Sequence, residues 1–287
     1  LNNTDMTVGT WGSFNQFIVT NGGFLFSRFG YLGVGDIGLS ADFSRQNSVL
    51  VSGPGSVWTN RQMLYVGRGG VGNSVVVSNG GFLFCSNSVI GDGEWMTGDS
   101  NRVEVTGAGS LWTNAGSLTI GSNGVGNELV VAAGAVANVG GPLVAGGASG
   151  ALGNRLAVSE STLTVTNAAG TNTLVIGRAG GGIFDFAGGS VWADTLWVTN
   201  NAAGVRTNSV FNFAWGMLET YRGSRIHYPH DWFDMGTESN RTALWVVNGG
   251  TNRITTSDET GMRLGTDAGT RGILVIHNAG TYWSNNA

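Results

Sequence analysis

The sequence predicts an all-β chain folded as a right-handed parallel β-helix, a three-strand solenoid of about ten coils of ~27 residues. Three observations carry that reading. Apolar strands recur after an asparagine at near-constant spacing, each repeat holds three short β-rich runs, and turn residues fill the gaps where a helix would show its own period.

The recurring strands are Asn47-Ser-Val-Leu-Val-Ser, Asn73-Ser-Val-Val-Val-Ser, Asn101-Arg-Val-Glu-Val-Thr, Asn127-Glu-Leu-Val-Val-Ala and Asn154-Arg-Leu-Ala-Val-Ser, whose starting positions set the period. Weaker copies begin near Asn15, Asn208, Asn240 and Arg271, and a degenerate one near Gly182. The expected organisation is a single solenoid over residues 1–287. Its repeats are regular over 15–180 and degenerate over 181–287, with a loop insertion near 219–240.

Within residues 73–100 the runs are Val75 to Ser78, Phe82 to Cys85 and Val89 to Gly91, separated by Asn79-Gly80-Gly81 and Ser86 to Ser88. Val, Ile, Phe and Thr suit strands, and Asn and Gly supply the left-handed residues that sharp corners require. Alternate residues such as Val75 and Val77, or Leu129 and Val131, are expected to point inward. Asn-Gly turns ordinarily make antiparallel hairpins. The odd third run, as in Leu118-Thr119-Ile120-Gly121, favours coiling over a meander.

A longer rhythm overlies the first: Gly55-Ser-Val-Trp58-Thr-Asn60 returns two repeats later as Gly109-Ser-Leu-Trp112-Thr-Asn114, with echoes at Trp192 to Asp194 and Trp283 to Asn285. Stacked copies place Trp58, Asn60, Trp112, Asn114, Trp192, Asp194, Trp283 and Asn285 at structural corners, where side-chain amides bond backbone groups. Recurrence at a corner reads as packing rather than as sugar-stacking platforms.

Composition narrows the partners. The chain has 50 glycines, 3 prolines and only 11% charged residues; all 14 basic residues are arginines and the net charge is −4. No basic cluster is present to meet phosphates, so nucleic acid is excluded. The single cysteine, Cys85, occupies the strand position that Ser27 holds in an earlier copy, and reads as a buried structural thiol. No apolar run is long enough to span a bilayer, so this segment inserts in no membrane. The chain opens at Leu1 without a signal-peptide pattern and ends at Ala287 inside a repeat, and is expected to be a piece of a longer chain.

The phrase order Gly-Ala-Gly-Ser-Leu-Trp-Thr-Asn, Ser-Leu-Thr-Ile-Gly, Gly-Val-Gly-Asn, Val-Val-Val-Ser-Asn-Gly-Gly resembles the bacterial repeat family shared by autotransporter (type V secretion) passengers and PEP-CTERM-associated exported β-helix proteins. The resemblance covers residues 15 to about 180. It implies a secreted or cell-surface stalk in adhesion or extracellular matrix, and supplies no catalytic residues.

Residues 219–240 break the pattern and concentrate polar chemistry. His227, His230, Asp231, Trp232 and Asp234 are the candidate binding residues, since loops on a rigid solenoid commonly carry function. His227 and His230 with Asp231 match no known metal spacing, and no metal or other cofactor is expected there. Asp92, Glu94 and Asp99 share one loop and form a weak Ca²⁺ candidate, without the repeated ladder of calcium-binding nonapeptides. Gly67-Arg-Gly69-Gly70 and Gly177-Arg-Ala-Gly180 precede no helix, so Arg68 and Arg178 read as solvent-facing corners rather than phosphate-loop residues.

The expected function is an extracellular structural or adhesive rod without enzymatic activity, whose partners are copies of its parent protein or surface and matrix glycans. The alternative is a carbohydrate-binding or polysaccharide-degrading β-helix, with glycan contacts near Trp95 or from Tyr221 to Trp232. As an enzyme it would depend on Asp231 or His230.

Overall fold

A computed structural model describes residues 4–35, 44–93, 97–202, 205–206, 208–229, 232–256 and 261–286. Each repeat makes one coil. After Asn73, Ser74–Ser78 runs with Val75 and Val77 fully buried. Asn79 and Gly80 are both left-handed (φ +51° and +81°), and the Gly81 N–H returns to the Ser78 carbonyl at 2.9 Å, so a hairpin-type turn does form. The chain nevertheless does not fold back. The next run, Phe82–Asp92, pairs in parallel with Val57–Arg68 of the preceding coil.

Among the described residues twenty-six strands join in this way, in three faces that wind into a parallel β-solenoid of about nine turns. The first face stacks ten strands, from Gln16–Thr20 through Ser48–Ser52, Ser74–Ser78, Arg102–Thr106 and Glu128–Ala132 to Gly261–Leu264. At ~4.8 Å per coil the stack is about 45 Å long. Two short strands, Asn201–Ala202 and Val205–Arg206, form an antiparallel pair outside it. No helix of the described residues is long and apolar enough to cross a membrane.

The inward columns explain the composition. On the first face they are valine and leucine pairs, Val49/Val51 through Leu156/Val158, which give way to Phe184/Phe186 and Phe211/Phe213. Stacked rings there lie 4.7 Å (Phe184–Phe211) and 4.9 Å (Phe186–Phe213) apart. On the second face Leu25, Trp58, Leu83, Trp112 and Ala137 follow one another in register. Large and smaller side chains alternate in this column so that its indoles do not stack on each other, which is the physical content of the two-coil rhythm.

Each buried indole also addresses the strand before it. Trp58 Nε1 donates to Ser27 Oγ at 3.1 Å, and Trp245 Nε1 to Thr220 Oγ1 at 3.2 Å. The position equivalent to Ser27 beneath Trp112 is Cys85. Trp112 Nε1 therefore faces only a sulfur, a weak acceptor, and has no oxygen or nitrogen partner. Burial pushes the Cys85 thiol up to about 12, so it stays protonated and unreactive while the coil is folded. Cys85→Ser gives that N–H a strong acceptor and is expected to raise stability by about 0.5–1.5 kcal/mol in urea denaturation. A clear loss of stability would mean that the sulfur's volume, not the indole's weak partner, decides the site.

Polar ladders close the corners. Oδ1 of Asn47, Asn73, Asn101, Asn127 and Asn154 accepts the backbone and side-chain N–H groups of the ladder asparagine one coil earlier, all at 2.9–3.1 Å, in a chain that starts at Asn15. From Asn47 on, these asparagines are fully buried. Gly182 stands next in register, and beyond it Ser209 and Asn200 take over, with Asn200 Nδ2 on the Ser209 carbonyl at 2.8 Å. At the second corner, Asn114 Nδ2 donates to the Gly116 and Ser117 carbonyls (2.7 and 2.9 Å), and Asn60 Nδ2 to the Met63 carbonyl (3.2 Å). Outside the first face, Arg102 pairs with Glu128 at 2.6 Å, and Arg155 bridges Glu128 and Asp185.

The degenerate half departs from the expected alignment. Gly189, not Ser190, stands at the corner position of Ser110, so Val191 continues the Trp112 column and Trp192 turns outward, half-buried. One residue of slip is enough to exchange the two faces of a strand. Asp194 keeps a corner role: its Oδ2 accepts the Asn167 and Asn172 N–H groups, both at 3.0 Å.

The described residues within 219–240 do not form a projecting loop. They continue the coil through Val210–Thr220, Gly223–Tyr228 and Trp232–Met235. The first-face partners Phe213 and Met235 stand closer in sequence than any earlier pair on that face, so this coil is short. The strands after Asn240 and at Arg271 therefore lie on the second face, one face beyond their earlier counterparts. Trp283 and Asn285 sit on the third face, away from the Trp58 column: Trp283 meets Trp245 edge-on at 5.5 Å and Asn285 is exposed.

Candidate binding groove on the third face

The structure divides the residues singled out in the sequence. His227 lies half-buried on the third face with Nδ1 3.0 Å from Thr255 Oγ1. Trp232 and Asp234 belong to a first-face strand, where Asp234 grips Arg263 through two contacts of 2.7 Å and the guanidinium lies 5.2 Å from the Trp232 ring centre. These are two faces of the solenoid, so the three do not converge. His230 and Asp231 lie outside the described residues.

The calcium candidates are likewise occupied elsewhere. Asp92 faces Arg68 at 3.6 Å, Asp99 Oδ1 accepts the Val125 N–H at 2.8 Å, and Glu94 and Trp95 lie outside the described residues. Among the described residues no three His, Cys, Asp or Glu side chains gather as a metal would require. Arg68 is no free corner: its guanidinium lies 4.9 Å from the Tyr65 ring centre as well as near Asp92.

A different set of residues does come together. On the third face Thr173–Ile176, Thr195–Val198, Gly223–Tyr228 and Thr251–Thr256 stack in parallel. Leu174, Ile176, Leu196, Val198, Ile226 and Ile254 point into the core, so alternation turns Val175, Trp197, Arg225 and Arg253 outward in one register column. Two hollows open along it. One of about 420 Å³ is lined by Pro142, Val175, Arg178 and Trp197, and one of about 360 Å³ by Asn200, His227, Arg253 and Thr255. Thr199 and Arg225 line both, which joins them into one trough.

No family model, curated protein or solved structure matches the chain. The trough's chemistry rests on its own residues. Trp197 is 46% exposed, an unusual degree for an indole on a strand. Arg225 and Arg253 are direct cross-strand partners, both exposed, and neither makes an ion pair with a described residue. Like charges facing each other across a ladder are destabilising. Arg28, Arg68, Arg102, Arg155 and Arg263 each have a carboxylate partner, which Arg225 and Arg253 lack among the described residues.

Trp197, Arg225 and Arg253 escaped the sequence reading, although a signal existed. Arg225 and Arg253 are separated by the same interval as the ladder residues Asn73 and Asn101.

Proposed function

We propose that the chain serves as an extracellular rod, a structural or adhesive stalk on a bacterial surface. One observation carries the reading: the stack is continuous, with an asparagine ladder that bonds coil to coil from Asn15 to Asn154 and a core without a break between coils. Nearest-neighbour stacking of this kind makes a stiff object of set length, suited to holding something at a distance from a surface. The adhesive part is supported by the trough, where an exposed indole and cations without a described carboxylate partner lie side by side on one flank.

Small-angle scattering is expected to give an axial length of about 45 Å for the chain, growing by about 4.8 Å for each coil duplicated within residues 73–154 while the cross-section stays constant. Brief protease treatment of intact cells producing the parent protein is expected to remove its epitopes. An axial length that does not grow with added coils, or epitopes protected until the cells are lysed, would overturn the rod or its extracellular placement respectively.

A further inference from the structure

We propose that the third-face trough is a binding site for an acidic polysaccharide, a glycan whose successive rings carry carboxylates. The proposal rests on the adhesive-rod reading and names the ligand that adhesion would use.

The arrangement of the column sets the ligand class. Trp197, Arg225 and Arg253 follow one another coil by coil in strict register, at ~4.8 Å per step. An exposed indole offers a flat apolar face to the C–H side of a sugar ring. A guanidinium offers a planar fork that matches a carboxylate through two parallel hydrogen bonds. Ring platform and cations in sequence along the rod axis fit a linear polymer that alternates the same two features, better than they fit one small anion. Thr199 and Thr255 also line the trough, with hydroxyls already held by the Gly177 carbonyl and beside His227 Nδ1 respectively, and Arg178 supplies a further exposed cation beside Trp197.

The unfavourable electrostatics point the same way. Two arginines held side by side without a described carboxylate raise the energy of the free protein, and a polyanion relieves that repulsion on binding. A single-stranded nucleic acid also presents rings and anions. It would call for a cationic track along many coils, whereas this chain has a net charge of −4 and its third-face column is uncharged from Thr7 to Val175.

The test is titration of the whole chain by calorimetry with polygalacturonate, with neutral galactan and with oligothymidylate, in metal-free buffer. Polygalacturonate is expected to bind, more weakly as salt is added, and the two other polymers at least about tenfold more weakly. The double variant Arg225→Gln, Arg253→Gln is expected to lose about tenfold or more in affinity while its melting temperature stays level or rises. Trp197→Ala is expected to lose about tenfold, with the arginines intact. The proposal is overturned if the wild-type chain does not bind polygalacturonate, if galactan or oligothymidylate binds as tightly, or if the double variant binds unchanged. It is also overturned if that variant melts lower, because the arginines would then be structural. None of these results touches the scattering profile, so failure of the trough and failure of the rod are read separately.

Discussion

Asn101→Asp, a change of one atom's identity in the middle of the asparagine ladder, is expected to destabilise the chain at neutral pH by about 3–5 kcal/mol. Asn101 is fully buried and its side chain is fully used. Oδ1 accepts the Asn73 backbone and side-chain N–H groups at 2.9 and 3.0 Å, and Nδ2 donates to the Gly70 carbonyl at 3.0 Å and to Asn127 Oδ1 at 3.1 Å. A carboxylate keeps the accepting oxygen but turns the donor into a second acceptor, aimed at two oxygens in a site closed to water. Both the unmatched charge and the orphaned acceptors then count.

The pH dependence gives the sign. Burial and the two facing oxygens favour the protonated acid in the folded state, so its folded pKa lies above the unfolded value of about 3.9. The variant's deficit is therefore smallest below that value, where the acid gives back one donor, and it deepens as pH rises through the folded pKa. Asn101→Ala lacks the charge and is expected to cost about 2–3 kcal/mol at every pH. Urea denaturation at acid and neutral pH separates the two variants. Because a solenoid's stability is a sum of neighbouring terms, hydrogen exchange is expected to rise first in the coils that hold Asn73 and Asn127. An Asn101→Asp chain that unfolds at the wild-type urea concentration at neutral pH would remove the ladder from the account of stability.

The ladder also shows where the sequence was legible. The coil was readable because its strands alternate and its corners carry left-handed Asn and Gly, which are local properties. Asn47, Asn73, Asn101 and Asn127 were visible as the residues that open each copy. Their role was not, because it needs residues a whole coil apart in sequence to be superposed in space. Asn60 and Asn114 were readable as backbone-bonding corners for a local reason: they bond to carbonyls two or three positions further along the chain.

The second half misled for a reason equally physical. Repeat phrases mark a kind of corner, not a particular corner. Asn79-Gly80-Gly81 turns the chain from the first face to the second, and Asn248-Gly249-Gly250 makes the turn from the second to the third. Once the shorter coil between Phe213 and Met235 had moved the frame by one face, phrase matching alone assigned the later strands to the wrong face. The trough was hidden by a similar irregularity. In its column the step from Val175 to Trp197 is shorter than the two equal steps from Trp197 to Arg225 and from Arg225 to Arg253, so the indole and its cations are out of phase with the regular copies that precede them.

Two glycines at the third corner give the sharpest separation of backbone strain from close packing. Gly121 and Gly126 have nearly the same left-handed φ, +70° and +66°. A methyl group on Gly126 meets nothing nearer than Ser100 Oγ at 3.8 Å, so Gly126→Ala carries only the conformational cost, about 1–2 kcal/mol. On Gly121 the same methyl would lie 2.1 Å from Asn154 Cγ and Nδ2. Asn154 must then leave its place, losing its bonds from the Asn127 N–H (3.0 Å) and Nδ2 (3.1 Å) and its own bond to the Gly124 carbonyl (3.0 Å). Gly121→Ala is expected to cost about 4 kcal/mol or more. The two explanations part in a double-mutant cycle. If the methyl acts by displacing Asn154, then once Asn154→Ala has emptied the site, Gly121→Ala adds little beyond the cost seen at Gly126, and the pair couples by about 2 kcal/mol. Strict additivity in denaturation would mean that left-handed strain alone fixes glycine at the end of the third strand, and that the contact with the ladder is incidental.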